Sequence, residues 1–380
     1  MNFFHTFKEE AKRIFTDVAI LVTIIAGVIL YSFLYPQPYV TQSVSKLKVS
    51  VVDYDKSTAS REIIFKLSST PQILVERRDQ SEKEAKEALV ENKVKAIIVI
   101  PKNFERDITL EKSPSIAVGV DSSYFLIYGA VLEGAMKSIL TQSASIKVGK
   151  LLQKEVPLEH AKNTYAAYSL QFINLFNKNN SYTQYVVPAV FVLILQQIIL
   201  IGLGILGGGI NERLKERQKG YYDEAPIWQM YLSRVLIFFV IFSIHFLFYF
   251  GYSFEHFSVT RLASMYDLLT FGVSFLLASI AFGLFLGSLF SSREIATPLV
   301  LFSSLPLVFS VGFIWPVESL PSILQYLALC VPAGPAITGF LELNQMGASF
   351  DMVIGLYGLL WGQTFVYGFL AYVIFNRRRR

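Results

Sequence analysis

The sequence predicts an α-helical membrane protein with six transmembrane helices, an N-terminal interfacial helix, short re-entrant outer helices between spans five and six, and an α/β extracytoplasmic domain inserted after span one. Three observations lead there. The 380 residues are 53% hydrophobic and only 17% charged, and the mean hydropathy is +0.46, values outside the soluble globular range. The charge is uneven: residues from about 40 to 180 are rich in Lys, Arg, Asp and Glu, whereas 185–376 carry few. Third, the apolar runs reach the ~20 residues a helix needs to cross a bilayer. One water-soluble domain attached to a membrane domain follows.

Residues 1–13 are expected to form a cytoplasmic interfacial helix, with Phe3, Phe4 and Phe7 on one face and charge opposite. The first span covers 14–35 (Ile14–Tyr35), interrupted only by Asp17. A cleaved signal peptide is the competing reading. The apolar core is too long for one, and Tyr35-Pro-Gln-Pro-Tyr39 offers no small-residue cleavage site.

Residues 36–184 read as the extracytoplasmic domain, α/β with a helical second half. Strands are expected at Lys48–Asp53, Ile73–Arg77, Lys95–Ile100 and Ser115–Asp121. Helices are expected at Ser57–Leu67 and at Glu82–Asn92, the latter opened by a capping box of Ser81 with Glu84. Strands alternating with helices argue for a mixed topology. From Tyr124 to about Lys154 the pattern turns helical, and 155–184 is polar and helical or irregular.

Residues 185–376 hold five further spans: Tyr185–Ile210, Ile227–Tyr252, Asp267–Phe290, Ile295–Phe313 (which contains Pro298 and Pro306) and Asp351–Phe375. Between the last two, Pro316–Phe340 is apolar but broken by prolines, and fits a pair of short helices dipping in from the outer face. Residues 377–380 are a basic cytoplasmic tail.

Charge sets the orientation. Loops 253–266 and 341–350 hold one strong cation, Arg261, while Lys8, Lys12, Arg13, Arg293, the terminal arginines and the run Asn211–Glu224 fall on the other side. Both termini are therefore expected in the cytoplasm. The modest net charge of +5 follows these loops and does not suggest nucleic-acid binding. The charged loop 211–226 either sets topology alone or is a contact helix through which a cytoplasmic partner moves the membrane domain.

Chemistry is sparse. Gly207-Gly-Gly209 lacks the Gly-Lys-Ser/Thr ending of a phosphate loop, so close helix packing is its expected role. The single Cys330 cannot form an intrachain disulfide, and His5, His160, His245 and His256 lack metal-ligand spacing. No catalytic residue and no metal site is expected. Polar residues within spans are Gln196, Gln197, His245 and Gln363; they either bond helices together or line a substrate path. No Asp, Glu, Lys or Arg is read as deep enough for a proton relay, which counts against a secondary transporter.

Three stretches of the insert stand out: Val51-Val-Asp-Tyr-Asp-Lys-Ser-Thr-Ala-Ser-Arg61, Lys95-Ala-Ile-Ile-Val-Ile-Pro-Lys-Asn-Phe104 and Val118-Gly-Val-Asp-Ser-Ser123. The membrane domain adds Asn211-Glu-Arg-Leu-Lys-Glu-Arg-Gln-Lys-Gly220, Ser292-Arg-Glu-Ile-Ala296 and the spaced prolines of Gly312–Pro335. In the order and spacing of these stretches the whole chain resembles the permease subunits of type-2 ABC exporters, the branch with a large extracytoplasmic insert after the first span. Where the family usually continues its coupling run with a Thr-x-Glu-x-Leu stretch, this chain has Tyr221-Tyr-Asp-Glu-Ala-Pro226.

The resemblance implies a permease without ATPase activity of its own, carrying a drug, lipid or amphipathic metabolite outward across the inner membrane. Glu212, Arg213, Lys215, Glu216 and Arg217 would couple it to partner ATPase subunits, which bring ATP and Mg. A second permease is expected, as a homodimer or related heterodimer, with membrane lipids and a periplasmic adaptor as further partners. The alternative from another class is a membrane-anchored receptor or scaffold whose insert binds an extracellular ligand.

Overall fold

The computed structural model describes residues 2–39, 45–121, 125–155, 157, 158, 160, 176, 177, 181–315 and 317–379. Most of the polar stretch 155–184, together with Tyr124 and Arg380, lies outside the described residues. The chain divides into two compact units, one of Met1–Gln42 with Asn174–Arg380 and one of Ser43–Ile173.

The first unit opens with helix α1 (Phe3–Thr16). Its packed face is Phe3, Thr6, Phe7, Glu10 and Ile14, spaced three and four apart as one helical stripe. Phe4 departs from the expected aromatic face and is 82% exposed, because a shift of one residue turns it about 100° away from that stripe. Asp17 does not interrupt a span: its extended backbone ends α1, and its carboxylate accepts the Ala19 and Ile20 N–H groups at 3.1 and 3.4 Å. It is the N-cap of the first long apolar helix, so Ile14–Thr16 belong to α1. That apolar helix comprises α2 (Val18–Leu21), a π-helical stretch Val22–Gly27 and α3 (Val28–Leu34).

Helix α8 (Val186–Lys215) is buried along nearly all its length and forms the axis of the unit. Thirty residues extend about 45 Å, longer than the ~30 Å hydrocarbon layer. Asn211–Lys215, expected in a loop, therefore continue this helix. A short turn α9 (Tyr221–Glu224) leads to α10 (Ile227–Leu247), which runs on through a π stretch Phe248–Ser253 into α11 (Phe254–His256). Helices α12 (Met265–Leu289), α13 (Ala296–Ser310), α14 (Ser322–Cys330), α15 (Ala333–Phe340) and α16 (Ile354–Arg379) complete the unit.

Among the described residues, five helical runs are long and apolar enough to cross a membrane: Val18–Tyr39, Val186–Lys215, Ile227–His256, Met265–Leu289 and Phe350–Arg379. The predicted fifth span is not among them. It forms only the 15 residues of α13, about 22 Å of helix, because Gly312 at φ +90° ends the run and Pro306 sits inside it. The apolar pair Ser322–Cys330 and Ala333–Gln345 is bent by 92° at its break, matching the expected pair of short helices. Where α8 meets α12, a Cβ on Gly207 would collide with the backbone of Gly287, and one on Gly208 with that of Ser292 in the segment that follows α12. Small residues let the two backbones touch.

Helix ends sort into two layers. In one, Asn211 Nδ2 donates to the carbonyls of Gly287 (3.1 Å), Ser288 (3.3 Å) and Phe290 (2.8 Å), and Arg378 donates to Leu289 O at 2.9 Å. The ends of α8, α12 and α16 therefore meet there. In the other, Thr183 Oγ1 donates to Tyr39 O at 2.7 Å, Gln184 Nε2 to Ser258 O at 2.9 Å, and Leu262 N–H to Asn344 O at 2.9 Å.

The second unit is a four-stranded sheet, β1 (Leu47–Asp53), β2 (Ile73–Asp79), β3 (Ala96–Ile100) and β4 (Ala117–Val120), in the order β2-β1-β3-β4. Strand β1 pairs parallel with β2 and β3, and β4 closes the sheet antiparallel to β3. Helices α4 (Thr58–Ser68) and α7 (Phe125–Gln153) cover one face over Val49, Val51 and Ile98. Helix α5 (Glu82–Val90) covers the other, where Ala85 meets Val52 and Ile97. Ser81 Oγ accepts the Glu84 N–H as the capping box requires, but the Glu84 carboxylate takes the Gln80 N–H, one residue upstream. A further short helix, α6 (Phe104–Thr109), has no counterpart in the sequence expectations because it is only about a turn and a half long, anchored by buried Phe104.

Candidate functional site

The charged run at the end of α8 frames a cavity of about 410 Å³. Of the five expected coupling residues, Glu212, Arg213 and Glu216 line it; Lys215 and Arg217 are exposed and do not. Arg213 and Glu216 are exposed, whereas Glu212 is half-buried. Arg13, Thr16 and Asp17 from the end of α1 form the facing wall, and Ile20, Ile205 and Leu206 the apolar floor. Arg217, at φ 54°, ends the α8 helix. Arg293 closes one side through an ion pair with Asp17 at 2.9 Å, both partners partly exposed. Asn211 takes no part: its side chain is buried and occupied in capping α12.

On the other side of α1 the packing is dry. Arg234, on α10, grips Glu10 through two bonds of 3.0 Å, Nε to Oε2 and Nη2 to Oε1. The side chains are 2% and 0% exposed. Tyr221 adds its hydroxyl to Glu10 Oε1 at 2.8 Å. Burial and the neighbouring Glu10 carboxylate push the Tyr221 phenol well above its ordinary pKa, so it stays a proton donor. Arg13 lies over the Tyr221 ring at 5.1 Å and the Tyr222 ring at 5.7 Å. Along the same seam Thr6 donates to Gln229 Oε1 at 3.1 Å and Phe3 stacks on Trp228. Arg379 holds the α9 turn from the other side, donating to Ala225 O at 2.6 Å and to Asp223 O.

Arg234 corrects the reading that polar span residues end with Gln196, Gln197, His245 and Gln363. A lone arginine in an apolar run demands a buried acid, and Glu10, on the packed stripe of α1, was the matching signal. Neither residue points to the other in sequence, since 224 positions separate them.

Gln196 and Gln363 serve the break between α14 and α15. Gln196 Oε1 accepts the Ala333 N–H at 2.5 Å, Gln363 Nε2 donates to Leu329 O at 2.7 Å, and Tyr367 donates to Cys330 O at 2.5 Å. Gln197 is buried with neither side-chain atom bonded among the described residues. Among those residues no group of three or more His, Cys, Asp or Glu could hold a metal ion.

The sequence profile of the family described as ABC-2 family transporter protein matches residues 18–373. No curated protein matches the chain.

Proposed function

The chain belongs to the ABC-2 transporter family, a multi-pass membrane permease component that associates with ABC ATPase subunits, and from that premise we propose that it is one half of an ATP-driven exporter. Glu212, Arg213, Lys215, Glu216 and Arg217 receive the ATPase at the cytoplasmic face, and ATP with its Mg is held and hydrolysed by that partner. A second permease completes the pathway. The substrate is hydrophobic or amphipathic and moves outward, in keeping with the mainly apolar spans.

Both termini and loop 211–226 lie in the cytoplasm, and residues 36–184 outside, as the distribution of Lys and Arg supports. The chain crosses six times in this reading. Helix α12 ends in the same layer as the end of α16, which supports a reading in which α13 and the segment after it carry the chain to the opposite layer before α16 returns. Helix α13 makes that crossing short, and the bent α14–α15 pair sits at the outer side.

The observation that carries the proposal is the cavity framed by the end of α8 and the end of α1, rimmed by charge and floored by Ile20 at the start of one long apolar helix and by Ile205 and Leu206 near the end of another. A contact made there reaches those helices directly. The test is a mild-detergent pull-down of the tagged chain from cells expressing its genomic neighbours, followed by an ATP hydrolysis assay on the eluate. A stoichiometric ATPase is expected. A clean chain with no nucleotide-hydrolysing partner would overturn the exporter and favour a membrane-anchored receptor.

A further inference from the structure

We propose that Glu10 and Arg234 are positioning residues that make α1, the Tyr221–Glu224 turn and the start of α10 a single rigid lever, which moves against the end of α8 when the transporter cycles. The inference rests on the ATP-driven reading above and adds which parts move together.

Two unlike contacts flank α1. Towards α10 it is sealed: Phe3–Trp228, Thr6–Gln229 and Glu10–Arg234 follow one another in parallel register along both helices. Bidentate Arg–carboxylate bonding fixes rotation as well as distance. Because neither charge is exposed, parting them would strand two buried unpaired ions, which the protein interior resists strongly. Tyr221 ties the turn into the same carboxylate, and Arg13 covers that tyrosine. Towards α8, by contrast, α1 faces the 410 Å³ cavity. The Arg293–Asp17 pair beside it is partly exposed, and such pairs contribute little. A push on the Asn211–Glu224 region therefore finds a joint that cannot open on one side and a gap that can close on the other.

Spin labels test this on the whole complex with its ATPase in lipid nanodiscs, in a Cys330→Ser background. One pair, Lys8→Cys with Leu232→Cys, lies within the lever; the other, Lys8→Cys with Gln218→Cys, spans the cavity. All three positions are exposed. On trapping with ATP and vanadate, the first distance should stay constant and the second change by more than about 2 Å, the scale of helix shifts at interfaces. A first distance that changes as much as the second, or a second that does not change, overturns the lever. Glu10→Gln combined with Arg234→Gln leaves no buried charge unpaired and so keeps the fold. It should broaden the first distance distribution about twofold as the bidentate restraint is lost. A distribution as narrow as the parent's would show that the ion pair does not hold the lever. Failure of the ATPase to co-purify would overturn the exporter itself, before any label is read.

Discussion

Gln196 and Gln363 reach the same break in the chain from two different long helices: one accepts the N–H of Ala333, the other donates to the carbonyl of Leu329. Those are backbone groups that the 92° bend between α14 and α15 would otherwise leave without partners. The two glutamines thus act as external caps on a helix pair that cannot cap itself.

Replacing Gln196 or Gln363 by leucine should lower stability by about 1 kcal/mol each. Interhelical side-chain bonds in membranes average about 0.6 kcal/mol, and an orphaned backbone group adds to that. Gln197→Leu should be neutral or stabilising, since neither of its side-chain atoms has a partner among the described residues. Thermal unfolding of the purified chain distinguishes them. Equal losses at all three positions would contradict the assignment.

Glu10→Ala or Arg234→Ala should each destabilise by about 3–5 kcal/mol, because each leaves one buried charge alone. Replacing the pair together with well-packed apolar residues should recover most of that loss, since the surviving charge is the source of the penalty. Denaturant unfolding of single and double variants gives the cycle. A double variant as unstable as the sum of the singles would mean that the ion pair contributes through something other than mutual neutralisation.

The long apolar helices and the sheet were legible because each is periodic on its own: Val49 and Val51 announce a strand without help from elsewhere. Proline announced the α14–α15 break in the same local way. The Glu10–Arg234 joint was not legible, because it exists only when two segments 224 positions apart meet. Asn211 shows the same limit. By composition it opens a charged loop; in the fold it is swallowed by the end of α12, whose carbonyls need donors. Of the candidate site, Glu212, Arg213 and Glu216 could be picked out by charge, but the wall opposite them, Arg13 and Asp17, could not.

Acid should weaken the second unit through Asp79. The Arg77 guanidinium bonded to it, and the Ser50 hydroxyl at 2.6 Å, hold its carboxyl below the usual range despite its burial. The folded pKa lies below the unfolded value of about 3.9, so the contribution is complete above that value. It is lost as pH falls through the lower, folded pKa. Asp79→Asn should cost about 1–2 kcal/mol at neutral pH and flatten the acid limb below about pH 4. Hydrogen exchange of the β1 and β2 amides in the full chain reads both. An unchanged acid limb in the variant would remove Asp79 as its cause.

Whether the charged end of α8 transmits force or only sets topology is decided by Glu212, Arg213 and Glu216. A topology signal depends on Lys and Arg summed over loops, and Lys215, Arg217 and Lys219 would still supply it after these three became alanine. A coupling surface depends on these side chains themselves, since they rim the cavity against Arg13 and Asp17. No side chain among them caps a helix or joins the buried seam, Glu216 closing α8 through its backbone alone, so the triple variant should fold, insert in the parent's orientation and still bind the ATPase through Lys215 and Arg217. It should hydrolyse ATP without the nucleotide-dependent change between labels at Lys8 and Gln218. A triple variant whose Lys8–Gln218 distance responds to ATP and vanadate as the parent's does would leave these residues with topology as their only role.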